Sequence, residues 1–275
     1  MNKLAIKKIE LLSELAELKR DYFESSTSAL DGMWHFGFVP MSEHYGFYEE
    51  SVLKGFCCVN SDGYMLQFHL CANTQIDSRD LFTLISQGNS SVIGNLKGAF
   101  VSTAETDYLS LCLDNSRSFK VNALMYQDAK TCANESGDEL TLTLADETQL
   151  SNFVSFAASN IGAPQAWLTG YYTNLIKRKE LWGYWIDNQL LASGECRFFD
   201  DYQTQYADLG MIVAVSERGK GLASRVLKSL KSKAIKQGLA AICSTESDNI
   251  GAQKAIVRAG FIATNRIIQF EFEPS

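Results

Sequence analysis

Two stretches of this 275-residue chain follow one plan. Residues 102–119, "STAETDYLSLCLDNSRSF", and residues 244–261, "STESDNIGAQKAIVRAGF", each open with Ser-Thr after a strand-like run, "GAFV" or "AAIC". Both pass through a helical stretch to a Phe 17 residues after the Ser (119 − 102 and 261 − 244). Each Phe then leads into another strand-like run, "KVNALMYQ" or "RIIQFEF". Self-similarity of this kind marks a repeated structural unit, so the chain is expected to fold as two copies of one mixed α/β arrangement. A second correspondence is read upstream, between "LKGFCCVN" (Leu53–Asn60) and "LWGYWIDN" (Leu181–Asn188). Its offset is 128 against 142 for the first, which assigns 14 extra residues to the second copy, in the hairpin "SGECRFFDDYQTQYADL". The seam is placed in the polar run "QDAKTCANESGDE", residues 127–139, giving units 1–135 and 136–275.

Periodicity fills in the second unit. Strand "ELTLTLA" alternates with period two, and helix "ETQLSNFVSFAAS" and a second helical stretch through "WLTGYYTNLIKRKE" follow. Strands "LWGYWID", "QLLASGECRFF" and "YADLGMIVAV" come next, then an amphipathic helix from Leu222 with its lysines on one face. Strand "AAICS", helix "IGAQKAIVRAG" and the final strands complete it. The fold class read from this pattern is α+β, a mixed central β-sheet flanked by helices, in two similar domains in tandem.

Composition removes several functions. The chain is 46% hydrophobic, enough for a substantial core, yet no stretch reaches the roughly 18–20 consecutive apolar residues of a membrane span. The N-terminus "MNKLAIKKIELLSELAELKRDYFE" alternates charged and apolar residues and lacks a signal peptide's apolar run. Seven cysteines, mostly inside apolar runs such as "GFCCV", fit a reducing compartment, so a cytoplasmic location is expected. A net charge of −7 argues against nucleic acid, whose partners need a basic face, and is compatible with cationic small substrates. The cysteines and the three histidines (His35, His44, His69) show no metal-ligand spacing, and no metal is expected.

Against that acidic background, "VSERGKGLASR" (residues 215–225) is a basic, glycine-bearing loop between the buried strand "GMIVAV" and a helix. At such a junction free backbone N–H groups and the helix dipole favour an anion. Glycine lets the backbone approach it, and Arg218, Lys220 and Arg225 add charge. A Walker A loop fails here: Ala214 stands at its first glycine and Gly221 where Ser or Thr is required. A dinucleotide fingerprint would need glycine at Ser224.

What remains, strand then Arg-x-x-Gly-x-Ala then helix, resembles the [Q/R]-x-x-G-x-[G/A] pyrophosphate loop of the GNAT N-acetyltransferases, which bind acetyl-CoA. "GMIVAVSERGKGLASRVL" resembles that family's central strand, loop and helix, and Asn249–Phe261 its Asn-to-Gly-Phe helix and turn. The resemblance implies that the backbone of Met211, Ile212 and Val213 pairs with the pantetheine arm. It also implies that Arg218 and the amides of Gly219, Lys220, Gly221, Leu222, Ala223 and Ser224 hold the pyrophosphate, and that Asn249 meets the cofactor near the acetyl group. Asn249 is a favoured N-cap in any case. In the first copy the 142 offset sets Asp77 opposite Gly219 and Arg79 opposite Gly221, so that copy is expected to be a degenerate unit without CoA binding. "TSALDGMWHFGFVP" in that copy holds aromatics suited to a substrate cleft or to core packing.

Direct transfer to an amine, which the resemblance implies, needs a base for the amine and an acid for the thiolate. Glu195 in "SGECRF" and Asp208 in "YADLGM" are the candidate carboxylates, set in apolar strands where a raised pKa suits a base; each also fits a solvent-facing strand position. The family's usual acid, a Tyr seven residues after the Asn, is Ile256 here; Tyr206, a water, or departure of the unprotonated thiolate are the alternatives, and no acid is assigned. The function expected is N-acetyl transfer from acetyl-CoA to a primary amine of a small molecule or peptide. A non-catalytic acyl-CoA sensor and a tandem aminoacyl transferase are the alternatives.

Overall fold

The computed structural model describes residues 4–129 and 140–273; most of the expected seam, from residue 130, lies outside the described residues. The chain divides into two compact units, residues 1–124 with 265–275, and residues 125–264. The first carries β1 (Leu4–Lys8), α1 (Ala16–Ser25), β2 (Glu43–Glu49), β3 (Val52–Val59), β4 (Tyr64–Leu70), α2 (Ser78–Ser86), β5 (Gly98–Ser102) and α3 (Thr106–Asn115). β6 (Ser116–Asp128) leads on to β7 (Thr143–Leu144), α4 (Leu150–Ile161), α5 (Gln165–Lys177), β8 (Leu181–Ile186) and β9 (Gln189–Phe198). Then come β10 (Tyr206–Val213), α6 (Leu222–Lys236), β11 (Ala240–Glu246) and α7 (Ile250–Arg258). A single closing strand, β12 (Phe261–Phe272), belongs to the first unit from Asn265 onward.

Both units use one strand plan. In the first the order is β1-β2-β3-β4-β5-β12, antiparallel through β4, with β4 and β5 parallel. In the second it is β7-β8-β9-β10-β11, antiparallel through β10, with β10 and β11 parallel. β12 borders β5, from Ile267 opposite Ser102 to Glu271 opposite Gly98, and buries Ile268, Phe270 and Phe272 in a core with Phe47, Met65 and Phe82. The end of the chain thus completes the core of its beginning.

Helices cover both faces of each sheet. Successive strand residues face opposite sides. On β9, a Cβ at Gly194 would lie 2.9 Å from Leu230 of α6, whereas the next residue, Glu195, meets Tyr171 of α5. α5 and α6 therefore flank the sheet on opposite sides. In the first unit Phe68 of β4 packs on Phe82 of α2, and His69 meets the Tyr22 ring of α1. The second unit's own core gathers Phe153, Ala157, Leu168, Tyr172 and Leu181 between α4, α5 and the sheet. A capping box at Asp146 and Gln149 starts the helical turn before α4.

Two expectations are corrected. "ELTLTLA" is shorter as a strand than its alternation suggests, only Thr143–Leu144 among the described residues. The upstream correspondence is one strand out: "LKGFCCVN" lies on β3, third in its unit, and "LWGYWIDN" on β8, second in its own, so β3 matches β9. An apolar strand with a glycine, followed by an Asn turn, occurs at successive steps of a meander and does not fix which strand it is. The downstream correspondence keeps its place, since 102–119 and 244–261 both run from strand through helix into strand.

Candidate active site

β10 pairs with β11 only at Tyr206–Ala240, Ala207–Ala241 and Asp208–Ile242, and beyond Asp208 the two strands part. The gap opens into a cleft of about 610 Å³. Met211, Ile212 and Val213 line it from β10. Arg218, Gly219, Gly221, Leu222, Ala223 and Ser224 line it from the loop and the start of α6, and Asn249 from the head of α7. Lys220 does not; it is exposed, with its ammonium 3.1 Å from Glu217.

Local chemistry sets the loop. Gly219 and Gly221 have φ of +78° and +82°, a region that costs any side-chain-bearing residue strain. Gly221 is the N-cap of α6 and brings no side-chain cap. The first intrahelical bond is Arg225 N–H to the Gly221 carbonyl at 3.3 Å, which leaves the amides of Leu222, Ala223 and Ser224 at the helix's positive end. Arg218 is used for the loop itself: Nη2 donates to the Asn160 carbonyl at 2.7 Å and Nε to the Val213 carbonyl at 3.3 Å. Asn160 Oδ1 in turn accepts from the Val215 amide at 2.8 Å, so the end of α4 clamps the loop at two points. Glycines in the left-handed region, an uncapped helix start and parted strands are what a pyrophosphate with an extended arm requires. Asn249 caps α7, its Oδ1 accepting from the Ala252 amide at 3.1 Å. Ile256 is buried in α7, an apolar position with no proton to give.

On the other face of β10 lies a charged cluster that sequence reading only half identified. Arg197, 6% exposed, donates from Nη2 to Asp208 Oδ2 at 2.6 Å and from Nε to the same oxygen at 3.2 Å. Its Nη1 binds Glu195 Oε2 and donates to the Tyr171 hydroxyl at 2.9 Å. Tyr171 donates to Glu195 Oε2 at 2.6 Å and stacks on Trp167, with centroids 4.8 Å apart. Burial pushes the Tyr171 hydroxyl well up; Arg197 opposes that and Glu195 adds to it. Burial works against the Arg197 charge, but Asp208, Tyr171 and Glu195 outweigh it and hold the guanidinium protonated. Glu195 and Asp208 are thus brought together through an arginine. Tyr206 is not: it sits at the paired end of β10, four residues from Gly210, about 13 Å along the strand. The i, i+2 pair Glu195/Arg197 and the i, i+4 pair Trp167/Tyr171 were the signals available in sequence.

Comparison with known proteins gives the family. A model described as "Acetyltransferase (GNAT) domain" matches residues 11–129, and one described as "Acetyltransferase (GNAT) family" matches residues 144–261. A solved structure, an acetyltransferase from the GNAT family from Colwellia psychrerythraea, is 61% identical, with a TM-score of 0.93 over 98% of this chain and 100% of that one. The chain belongs to the GNAT family. Two distant structures share the fold over nearly the whole length. A tandem GNAT protein from the clavulanic acid biosynthesis pathway has 12% identity and a TM-score of 0.67, covering 99% of this chain and 100% of that one. A GCN5-related N-acetyltransferase from Sphaerobacter thermophilus has 10% identity and 0.66, covering 99% and 97%. A search of curated proteins found no match. Membership implies acyl transfer from an acyl-CoA. Among the described residues no helix is long and apolar enough to cross a membrane, and no His, Cys, Asp and Glu cluster could hold a metal.

The first GNAT unit has its own gap, since β4 and β5 pair only at Tyr64–Gly98 and Met65–Ala99. The cavity there is about 810 Å³, but its chemistry is inverted. Asp77 is the N-cap of α2 and accepts from the Arg79 and Asp80 amides at 2.9 and 3.0 Å. The helix end that would receive a phosphate already holds a carboxylate. As N-cap, Asp77 corresponds to Gly221, an offset of 144 rather than 142, which moves Arg79 opposite Ala223 and corrects the sequence alignment by two residues. Asp21, Glu105 and Asp107 line the same cavity. Trp34 packs against Val39, Cys58 and Leu66 and so contributes to this unit's core.

Proposed function

We propose that the protein transfers the acetyl group of acetyl-CoA to a primary amine of a small molecule or peptide, in the second unit, by direct attack. The observation that carries this reading is the uncapped start of α6 at Gly221, between two left-handed glycines and beside the parted β10. The amides of Gly219 to Ser224 hold the pyrophosphate, and Met211, Ile212 and Val213 offer backbone groups to the pantetheine arm. Lys220 is left to solvent and Arg218 holds the loop. Asn249 caps α7 and lies at the cleft, within the cofactor's reach. The co-substrate supplies an activated thioester.

Of the carboxylates, Glu195 takes the role of base. Its Oε2 is anchored, and its Oε1 has no hydrogen bond among the described residues. Asp208, 1% exposed, serves as counter-ion to Arg197. Tyr206 has no part, and the departing sulfur takes its proton from water. The first unit, with Asp77 in its helix end, binds no CoA and serves as the partner unit of a working one.

Turnover of acetyl-CoA against a broad amine panel tests the reading. Transfer to at least one amine is expected, with Glu195→Gln lowering kcat by about 100-fold, the usual size of a lost general base. Tight acetyl-CoA binding with no transfer to any amine would identify a sensor instead.

A further inference from the structure

The Glu195 carboxylate is held by groups that no family motif in the sequence points to. Tyr171 comes from α5, Arg197 from β9, and both converge on one oxygen, Oε2. Their placement relative to the cleft follows from Gly210, which lines it and pairs directly with Glu195 across β9 and β10. A Cβ on Gly210 would lie 3.1 Å from Arg197 Nη1 and 3.2 Å from Glu195 Oε2. The pair therefore lies across the bare backbone of a cleft residue, two residues past the point where β10 leaves β11. A side chain at 210 would separate the carboxylate from the strand that borders the cofactor arm. Arg197 is itself anchored by Asp208, and Tyr171 is braced by Trp167. Both hydrogen bonds to the carboxylate end on Oε2, and neither uses Oε1.

Resting on the reading of Glu195 as base, we propose that Tyr171 and Arg197 are positioning residues that fix Glu195 by Oε2 so that Oε1 takes the proton from the acceptor ammonium. The ammonium gives one proton to Oε1, and the freed nitrogen lone pair forms the C–N bond to the acetyl carbon as the C–S bond breaks. The sulfur leaves with that bond's electron pair and takes a proton from water; the new amide nitrogen gives its second proton back to that water, and Glu195 returns its own proton to solvent. The sum is ammonium plus acetyl thioester giving amide, thiol and one proton. The charged and titratable groups meeting Glu195 are Tyr171 and Tyr172 of α5 and Arg197 of β9, with Asp208 of β10 reached through Arg197.

The test is kcat and KM for the full chain and for Tyr171→Phe and Arg197→Lys, with acetyl-CoA affinity by calorimetry and thermal midpoints as a check on folding. Tyr171→Phe removes one hydroxyl and keeps the ring stack. The expected result is a kcat about 10- to 100-fold lower, the size of a displaced catalytic group. KM for the amine and acetyl-CoA affinity should both stay within about twofold, so that the loss falls on kcat alone. Arg197→Lys keeps the charge but cannot bridge Asp208, Glu195 and Tyr171 together, and should lower kcat in the same way. If folded Tyr171→Phe and Arg197→Lys keep the wild-type kcat while Glu195→Gln is impaired, the positioning role is overturned and the base stands. If either variant loses activity only in proportion to a loss of folded protein, or changes KM rather than kcat, the role is structural and the proposal fails. Full activity in Glu195→Gln, or no transfer by the wild type, overturns the underlying reading as well.

Discussion

Glu105 shows how one residue records the difference between the two units. It borders the first unit's cavity, where Tyr22 Oη donates to it at 2.5 Å and the Ser102 amide at 2.7 Å. Burial nevertheless raises its carboxyl from an ordinary 4.5 to about 7, against the pull of those two bonds. A carboxyl raised in the folded state is protonated there at pH values where the unfolded chain has lost its proton. Its contribution is therefore complete below about pH 4.5 and is lost as pH rises through about 7. Because it borders an open cavity, about 1–3 kcal/mol is at stake. His44 runs the other way: burial, with Lys19 nearby, lowers it to about 4, so its contribution fades as pH falls from 6.5. The wild-type curve mixes the two, and a difference isolates one. Glu105→Gln keeps an acceptor for Ser102, and denaturant unfolding should show it gaining on the wild type by about 1–3 kcal/mol between pH 4.5 and 8. A constant difference across that range would remove the buried carboxyl from the account.

At the scale of elements, the loop depends on the end of α4 more than on its own lysine. Asn160 holds Val215 through its side chain and Arg218 through its carbonyl. Asn160→Ala should weaken acetyl-CoA binding by about tenfold, the worth of one net hydrogen bond, while costing only about 1 kcal/mol in stability. Calorimetry beside thermal melts checks both, and unchanged affinity would mean the clamp is irrelevant. This dependence was not legible in the sequence, because "SNIG" and "VSERGKG" are 55 residues apart and only tertiary packing joins them. The loop itself was legible, since Gly219 and Gly221 answer a local backbone need that sequence displays directly. The Glu195 and Asp208 carboxylates were visible for the same reason, as charges in apolar strands. Their shared partner Arg197 was not legible, because strand alternation does not say which side chain a carboxylate meets across two strands.

For the whole molecule, the repeat was visible where its two copies keep helix and strand in step, and misread where a meander offers the same pattern twice. The ends of the units were harder. Residues 265–275 belong with residues 1–124, and no composition shift marks the change at Asn265, because β12 runs through it as one strand. The two units keep one architecture but hold opposite chemistry at the matching helix end, glycine in one and aspartate in the other. Calorimetric titration of the full chain with acetyl-CoA reads that difference. One site per chain is predicted, abolished by Gly221→Glu and unchanged by Arg79→Glu. Two sites per chain, or an affinity unmoved by Gly221→Glu, would contradict it.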